Sequence, residues 1–320
     1  MTKLFTIAKN TFIETLRQPV YLVIIVAALF LLFMCPSLTM YTLSDDNKLL
    51  RELGLSTLFL TSLFIAIFAA SGAVAEEIEN KTITTVLSKP VKRPIFIIAK
   101  FLGVVAAVAL AHYICTIALL MAIRHGVITA VWETHDWTVI VAAAAIVLLT
   151  IVLTAFFNYT YDWKFSSTAV VLAALFATVA IALLAFVDRD WKFNPKNNGI
   201  NTVDIYGSAL LFFAAVIISA LAVAFSARFN IMVTLAACVG LFLLGLISDY
   251  VFGQIADRSL WARVCYFIIP NLQMFWISDT IIEEKTVPLK YIGITASYAL
   301  CYSTAILALA IAVFQRRQVG

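Results

Sequence analysis

No glycine in this chain of 320 residues is followed by lysine, so it holds no GxxxxGK[ST] loop to cradle nucleotide phosphates. HExxH and GxSxG are missing too, which argues against a zinc-dependent intramembrane protease and against a serine nucleophile elbow. The five cysteines (Cys35, Cys115, Cys238, Cys265 and Cys301) stand singly, with no CxxC pair or His/Cys cluster. Neither a zinc site nor a disulfide framework is written into that spacing, and each reads as a small apolar packer. Histidine occurs only three times. His112 sits within an apolar run and reads as a packed or hydrogen-bonded core residue, a proton relay being the alternative. His125 and His135 fall in a loop and read as surface residues. Glu76-Glu77 and Glu283-Glu284 are paired acids, but no His or Arg follows at a spacing that completes a familiar protease. No catalytic, cofactor or metal residues are expected.

Charge is scarce as well. Only 12% of residues are Asp, Glu, Lys or Arg, against 63% hydrophobic, and the mean hydropathy is +1.01. A soluble domain carries about 25% charge. Several uncharged runs exceed the roughly 20 residues a helix needs to cross a bilayer. The expectation is an all-α polytopic membrane protein with eight spans, at about 19–43, 54–75, 95–123, 137–157, 168–187, 207–225, 231–248 and 291–314. Loops 188–206 and 249–290 are polar. Within the second, Cys265 to Ile277 is apolar but short and broken by Pro270-Asn271, so it reads as interfacial or re-entrant. The span centres carry no Asp, Glu, Lys or Arg, which lowers the case for an ion-coupled secondary transporter.

Residues 1–18 read as an amphipathic helix. Leu4, Phe5, Ile7, Ala8, Thr11, Phe12, Thr15 and Leu16 share one half of the wheel, and Lys3, Lys9, Asn10, Glu14 and Arg17 the other. Such a helix is expected at the membrane interface, apolar face down, until Pro19 turns the chain inward. Eight spans put both termini on one side. With that side taken as cytoplasmic, segments 1–18, 76–100, 158–167, 226–230 and 315–320 hold twelve Lys/Arg and five Asp/Glu. The opposite side then holds ten and thirteen. Basic residues in short flanking loops orient membrane proteins, so the termini are expected inside.

One inner segment, 76–94, is the most charged interruption of the apolar pattern. Ile78, Thr82, Ile83, Val86 and Leu87 recur at helical spacing, with Glu77, Asn80, Lys81, Thr84 and Thr85 away from them. Early acids and the later Lys89 suit a helix dipole, and Pro90 ends the run. Two readings remain: a short amphipathic helix parallel to the membrane, or an ordinary basic loop.

These residues resemble the coupling region of ABC-2 type transporter permeases. The resemblance rests on Ile78-Glu79, Thr82, Leu87-Ser88, Pro90-Val91, Arg93 and Lys100-Phe101-Leu102-Gly103. It departs at Lys81, where many members have Gly, and at Pro94. The amphipathic start and the Ile269–Gln273 segment also resemble such permeases, although eight spans exceed the six common there. The resemblance implies a non-catalytic membrane subunit of an ABC exporter in the cell membrane, without cofactors or nucleic acid. It would work as a homodimer or heterodimer with separate ATP-binding cassette subunits. Within segment 76–94 the Glu76–Ser88 helix would be its coupling helix, with Glu79, Lys81, Lys89 and Arg93 as ionic contacts and Ile83, Val86 and Leu87 as apolar anchors. Thr82 and Pro90 belong to the same surface. A membrane-embedded hydrolase or lipid-modifying enzyme, or an ion-coupled secondary transporter, is the alternative.

Overall fold

The computed structural model describes residues 2–39, 46–75, 93–128, 134–195, 198, 201–255, 259–277 and 287–315. Among them the chain forms ten α-helices: α1 (Thr2–Arg17), α2 (Pro19–Thr39), α3 (Asp46–Ala70), α4 (Arg93–His125), α5 (Trp137–Tyr161), α6 (Phe165–Leu184), α7 (Thr202–Ser226), α8 (Ile231–Ser248), α9 (Leu260–Ile268) and α10 (Leu289–Gln315). Extended pairing among the described residues is limited to an isolated bridge between Val187 and Phe193. All but α1 and α9 belong to eight segments long and apolar enough to cross a membrane. The protein is an all-α polytopic membrane protein.

Helices that are apolar on every side can be covered by protein or by lipid, and burial separates the two cases. An apolar 18-residue stretch of the α3 span is 78% buried, whereas the corresponding stretch of the α5 span is 11% buried. The core is α3, α4 and α7, flanked by α2, α8 and α10. Small residues let these backbones close up, with Ala107 and Ala111 on α4 and Ala214, Ala215, Ala220 and Ala222 on α7 all buried. The outlying helix α5 packs mainly on α6 and turns Val147, Leu148, Ile151 and Val152 outward. Exposed Trp137 stands at one of its ends, and Tyr159, Tyr161 and Trp163 stand at the other. Its 25 residues cover about 37 Å, so both aromatic groups fall at the depth of a bilayer's two interfaces.

Several boundaries differ from the sequence expectation. The second span does not begin at Gly54 but continues a helix that starts at Asp46. Lys48 to Glu52 are good helix formers, and Arg51 is neutralised by Asp204 on α7 at 3.1 Å. Likewise α7 starts at Thr202 and not 207, capped by Asn201, whose side chain accepts from the Val203 amide. Between α8 and α10 the nine-residue α9 is about 14 Å long, too short to span. After it Pro270 breaks the helix and Leu272 donates its amide to Gly245 O on α8 at 3.0 Å. Tyr298 of α10 accepts from the Asn271 amide at 3.1 Å. The segment is thus seated against α8 and α10.

The amphipathic first helix forms as expected, but its surroundings differ. Its stripe packs chiefly on α4, burying Thr11, Thr15 and Leu16, while Phe5 stays 71% exposed. Protein covers most of a face that the helical wheel alone would give to lipid.

Candidate functional site

The chain leaves the core toward residues 76–92 through a π-helical turn, Ser71–Ala75, that follows α3. Such turns recur at functional sites because they break the regular hydrogen-bond ladder. This one is buried: Ser71 Oγ lies 3.4 Å from Ser226 Oγ at the end of α7. A Cβ on Gly72 would stand 2.2 Å from Gln18 Nε2, at the α1–α2 junction.

The chain returns at Arg93, the start of α4. Arg93 Nη1 donates to Phe314 O near the end of α10 at 3.4 Å, and the guanidinium sits 5.9 Å from the centre of the Phe314 ring. Phe96 stacks on the same ring at 5.9 Å, and Lys100 Nζ lies 5.6 Å from the Phe96 centroid. Helical spacing puts Arg93, Phe96 and Lys100 on one face, so this face ties α4 to α10. Three residues on, Gly103 receives α1. A Cβ there would come within 2.7 Å of Ala8 O and 2.6 Å of Thr11 Cβ. Finally, Ser166 at the start of α6 donates to Arg17 O at 3.0 Å, closing α1 onto the α5–α6 connector.

These contacts gather both borders of segment 76–92, the first helix, the α5–α6 and α7–α8 turns and the end of α10 at one end of the bundle. They are the five regions whose short segments hold twelve Lys/Arg and five Asp/Glu. Of the expected coupling residues only Arg93 is described. Glu79, Lys81, Thr82, Ile83, Val86, Leu87, Lys89 and Pro90 lie outside the described residues.

Midway along α4, His112 joins three core helices. Its Nε2 lies 2.9 Å from Ser208 O on α7, and its Nδ1 lies 2.9 Å from Ser62 Oγ on α3. A carbonyl only accepts, so Nε2 carries the proton and Nδ1 takes the Ser62 hydroxyl. Ser208 Oγ also contacts Thr116 Oγ1 at 2.5 Å. This is the hydrogen-bonded core histidine that the sequence suggested. His112→Leu is expected to lower stability by about 1–3 kcal/mol, since it strands buried hydroxyls. The thermal unfolding midpoint of the purified protein checks this; an unchanged midpoint would mean the hydroxyls find other partners.

At the opposite end lies an ion pair between Arg124 and Asp136. Arg124 closes α4 with its side chain only 2% exposed. Its Nε meets Asp136 Oδ2 at 3.3 Å, Nη2 donates to Thr138 Oγ1 at 3.1 Å and Val187 O at 2.7 Å, and Nη1 donates to Leu184 O. Asp136 caps α5 by accepting from the amides of Thr138 and Val139 at 3.1 and 3.3 Å. Arg189 Nε stands 3.6 Å from the same carboxylate. Burial alone would raise the Asp136 pKa, but the Thr138 hydroxyl, the Arg124 charge and the Val139 amide together bring it below the ordinary 3.8. One signal was legible: Asp136 directly precedes an apolar run, where an N-cap belongs.

Among known families, residues 5–160 match the one described as ABC-2 family transporter protein. The match runs from α1 to the end of α5 and takes in segment 76–94. Comparison with curated proteins finds no match to the chain.

Proposed function

We propose, from the premise that this chain is an ABC-2 type permease across residues 5–160, that it is the membrane subunit of an ATP-driven exporter. Both termini and segment 76–94 face the cytoplasm of a cell membrane. The segment docks on a separate ATP-binding cassette subunit, two permease copies work together, and all ATP hydrolysis occurs on the partner. Closure of the ATPase pair pushes on segment 76–94 and shifts α3 and α4, which it joins, opening a path for a cargo of unassigned class. A partner can drive that shift only by binding the two states differently.

The observation carrying this reading is the convergence at one end. The helices entering and leaving segment 76–92 are wedged there against α1, α7 and α10. A load applied to the segment thus reaches the core helices directly and is not absorbed by a slack connection. The test is co-purification with the ATP-binding cassette subunit, then vanadate-sensitive ATPase activity in reconstituted vesicles. Val86→Ala with Leu87→Ala is expected to cut permease-stimulated activity about tenfold, the effect of losing roughly 1.4 kcal/mol of coupling, while membrane insertion is kept. Unchanged stimulation would overturn the coupling assignment.

A further inference from the structure

The loop that joins α4 to α5 begins and ends beside the buried Arg124–Asp136 pair. His125 follows the arginine and His135 precedes the aspartate, so the ion pair also brings two imidazoles together, their planes tilted by 42°. Their ring centroids are 5.6 Å apart, and His135 Nδ1 lies 3.4 Å from His125 Nε2. We propose that these two histidines form a binding site for a divalent transition-metal ion of the zinc class.

Three features carry the assignment. His125 Nδ1 stands 2.9 Å from Gly126 O. A carbonyl cannot donate, so that nitrogen bears the proton and the Nε2 lone pair is turned toward His135. Metal-binding histidines are commonly oriented by this arrangement, the distal N–H bonded to a backbone carbonyl. The spacing also fits. Zinc–imidazole bonds of about 2.0–2.1 Å at a tetrahedral angle set two ligand nitrogens about 3.4 Å apart. Finally, the frame is rigid. Arg189 Nη2 donates to Arg124 O at 2.9 Å and reaches toward His125 O at 3.4 Å, while Asp136 fixes the first turn of α5. His135 is exposed and His125 half-buried, so water can fill the remaining coordination positions.

Without metal, the His135 Nδ1–H donates to His125 Nε2. On binding, that proton moves to His135 Nε2, which frees Nδ1 for the ion and keeps both rings neutral. The ion would then bridge the end of α4 and the start of α5. Asp136 offsets only part of the charge of Arg124 and Arg189, so the site binds less tightly than a four-ligand structural zinc.

The full chain, purified in detergent without a polyhistidine tag, should be dialysed against Zn²⁺ alone and its metal content measured. One Zn²⁺ per chain with half-saturation in the roughly micromolar range is expected. His125→Ala and His135→Ala should each weaken binding at least tenfold. Zn²⁺ should also raise the thermal midpoint of the wild-type protein and not that of His135→Ala, whose exposed side chain can be removed without disturbing the core. Lack of uptake at a hundredfold higher Zn²⁺, or equal uptake by the double variant, would overturn the site.

Discussion

Arg124→Leu is expected to lower the stability of the fold by about 3–5 kcal/mol, because it leaves the Asp136 carboxylate charged in a buried place. It removes more than an ion pair. The same guanidinium holds Leu184 O and Val187 O, so the end of α6 loses its tie to α4 and α5. Arg189 limits the damage only in part, since its side chain is 58% exposed and 3.6 Å away. Pairing the substitution with Asp136→Asn should recover part of the loss, because asparagine still caps α5 while its charge is gone. Denaturant unfolding of the four proteins yields the coupling directly. If Arg124→Leu and wild type unfold together, the pair does not hold these three helices.

The pH dependence supplies a second signature of the same pair. Asp136 is brought below its ordinary 3.8 in the folded protein. Its contribution is therefore fully present above that value and is lost only as pH falls through the lower folded one. In Arg124→Leu the main compensating cation is gone, so acidification neutralises a charge that now destabilises the fold. The stability gap between variant and wild type should narrow as pH falls below about 4. A gap that stays constant or widens on acidification would locate the loss in the carbonyl ties, not in the charge.

The eight spans were legible because a bilayer imposes its own length on an uncharged run, whatever packs around it. Helix ends were less so. Lys48, Arg51, Glu52 and Asp204 looked like loop residues because charge marks solvent until a partner is known. Arg51 and Asp204 are 153 residues apart, and no local pattern joins them. Arg124 and Asp136 are closer in sequence, yet their pairing depends on how the intervening loop closes. The facing of His125 and His135 follows from that closure, so two histidines that read as surface residues sit in register. The helical wheel of α1 fixed which face is apolar but not what covers it. Segment 76–94 was legible as a pattern and a resemblance, and its expected contacts lie outside the described residues apart from Arg93.

Gly103→Leu is expected to unseat α1 from α4. Gly103 closes the Lys100-Phe101-Leu102-Gly103 stretch on which the resemblance partly rests, and the fold supplies its reason. The atoms a side chain would strike are Ala8 O and Thr11 Cβ, at 2.7 and 2.6 Å. A flexible neighbour could rotate away; a helix backbone cannot, so the whole of α1 must lift. Overpacking of this kind costs about 1–3 kcal/mol, and every 1.4 kcal/mol is about tenfold in the lifted population. Lys9 and Arg17 lie on the exposed side of α1, and trypsin reads the lifted state when opening is fast relative to cleavage. Cleavage at these two sites should therefore speed up about tenfold or more. Gly293→Leu is the matched control, because a Cβ there meets nothing within 4 Å, and it should leave cleavage unchanged. Equal cleavage of the two variants would mean that α1 does not depend on α4 for its seat. Faster cleavage together with lost ATPase stimulation would join α1 to the coupling path, since the Gln18–Gly72 contact carries its position to the π-helical turn. Faster cleavage with intact stimulation would confine α1 to an anchoring role and leave segment 76–94 to take the load alone.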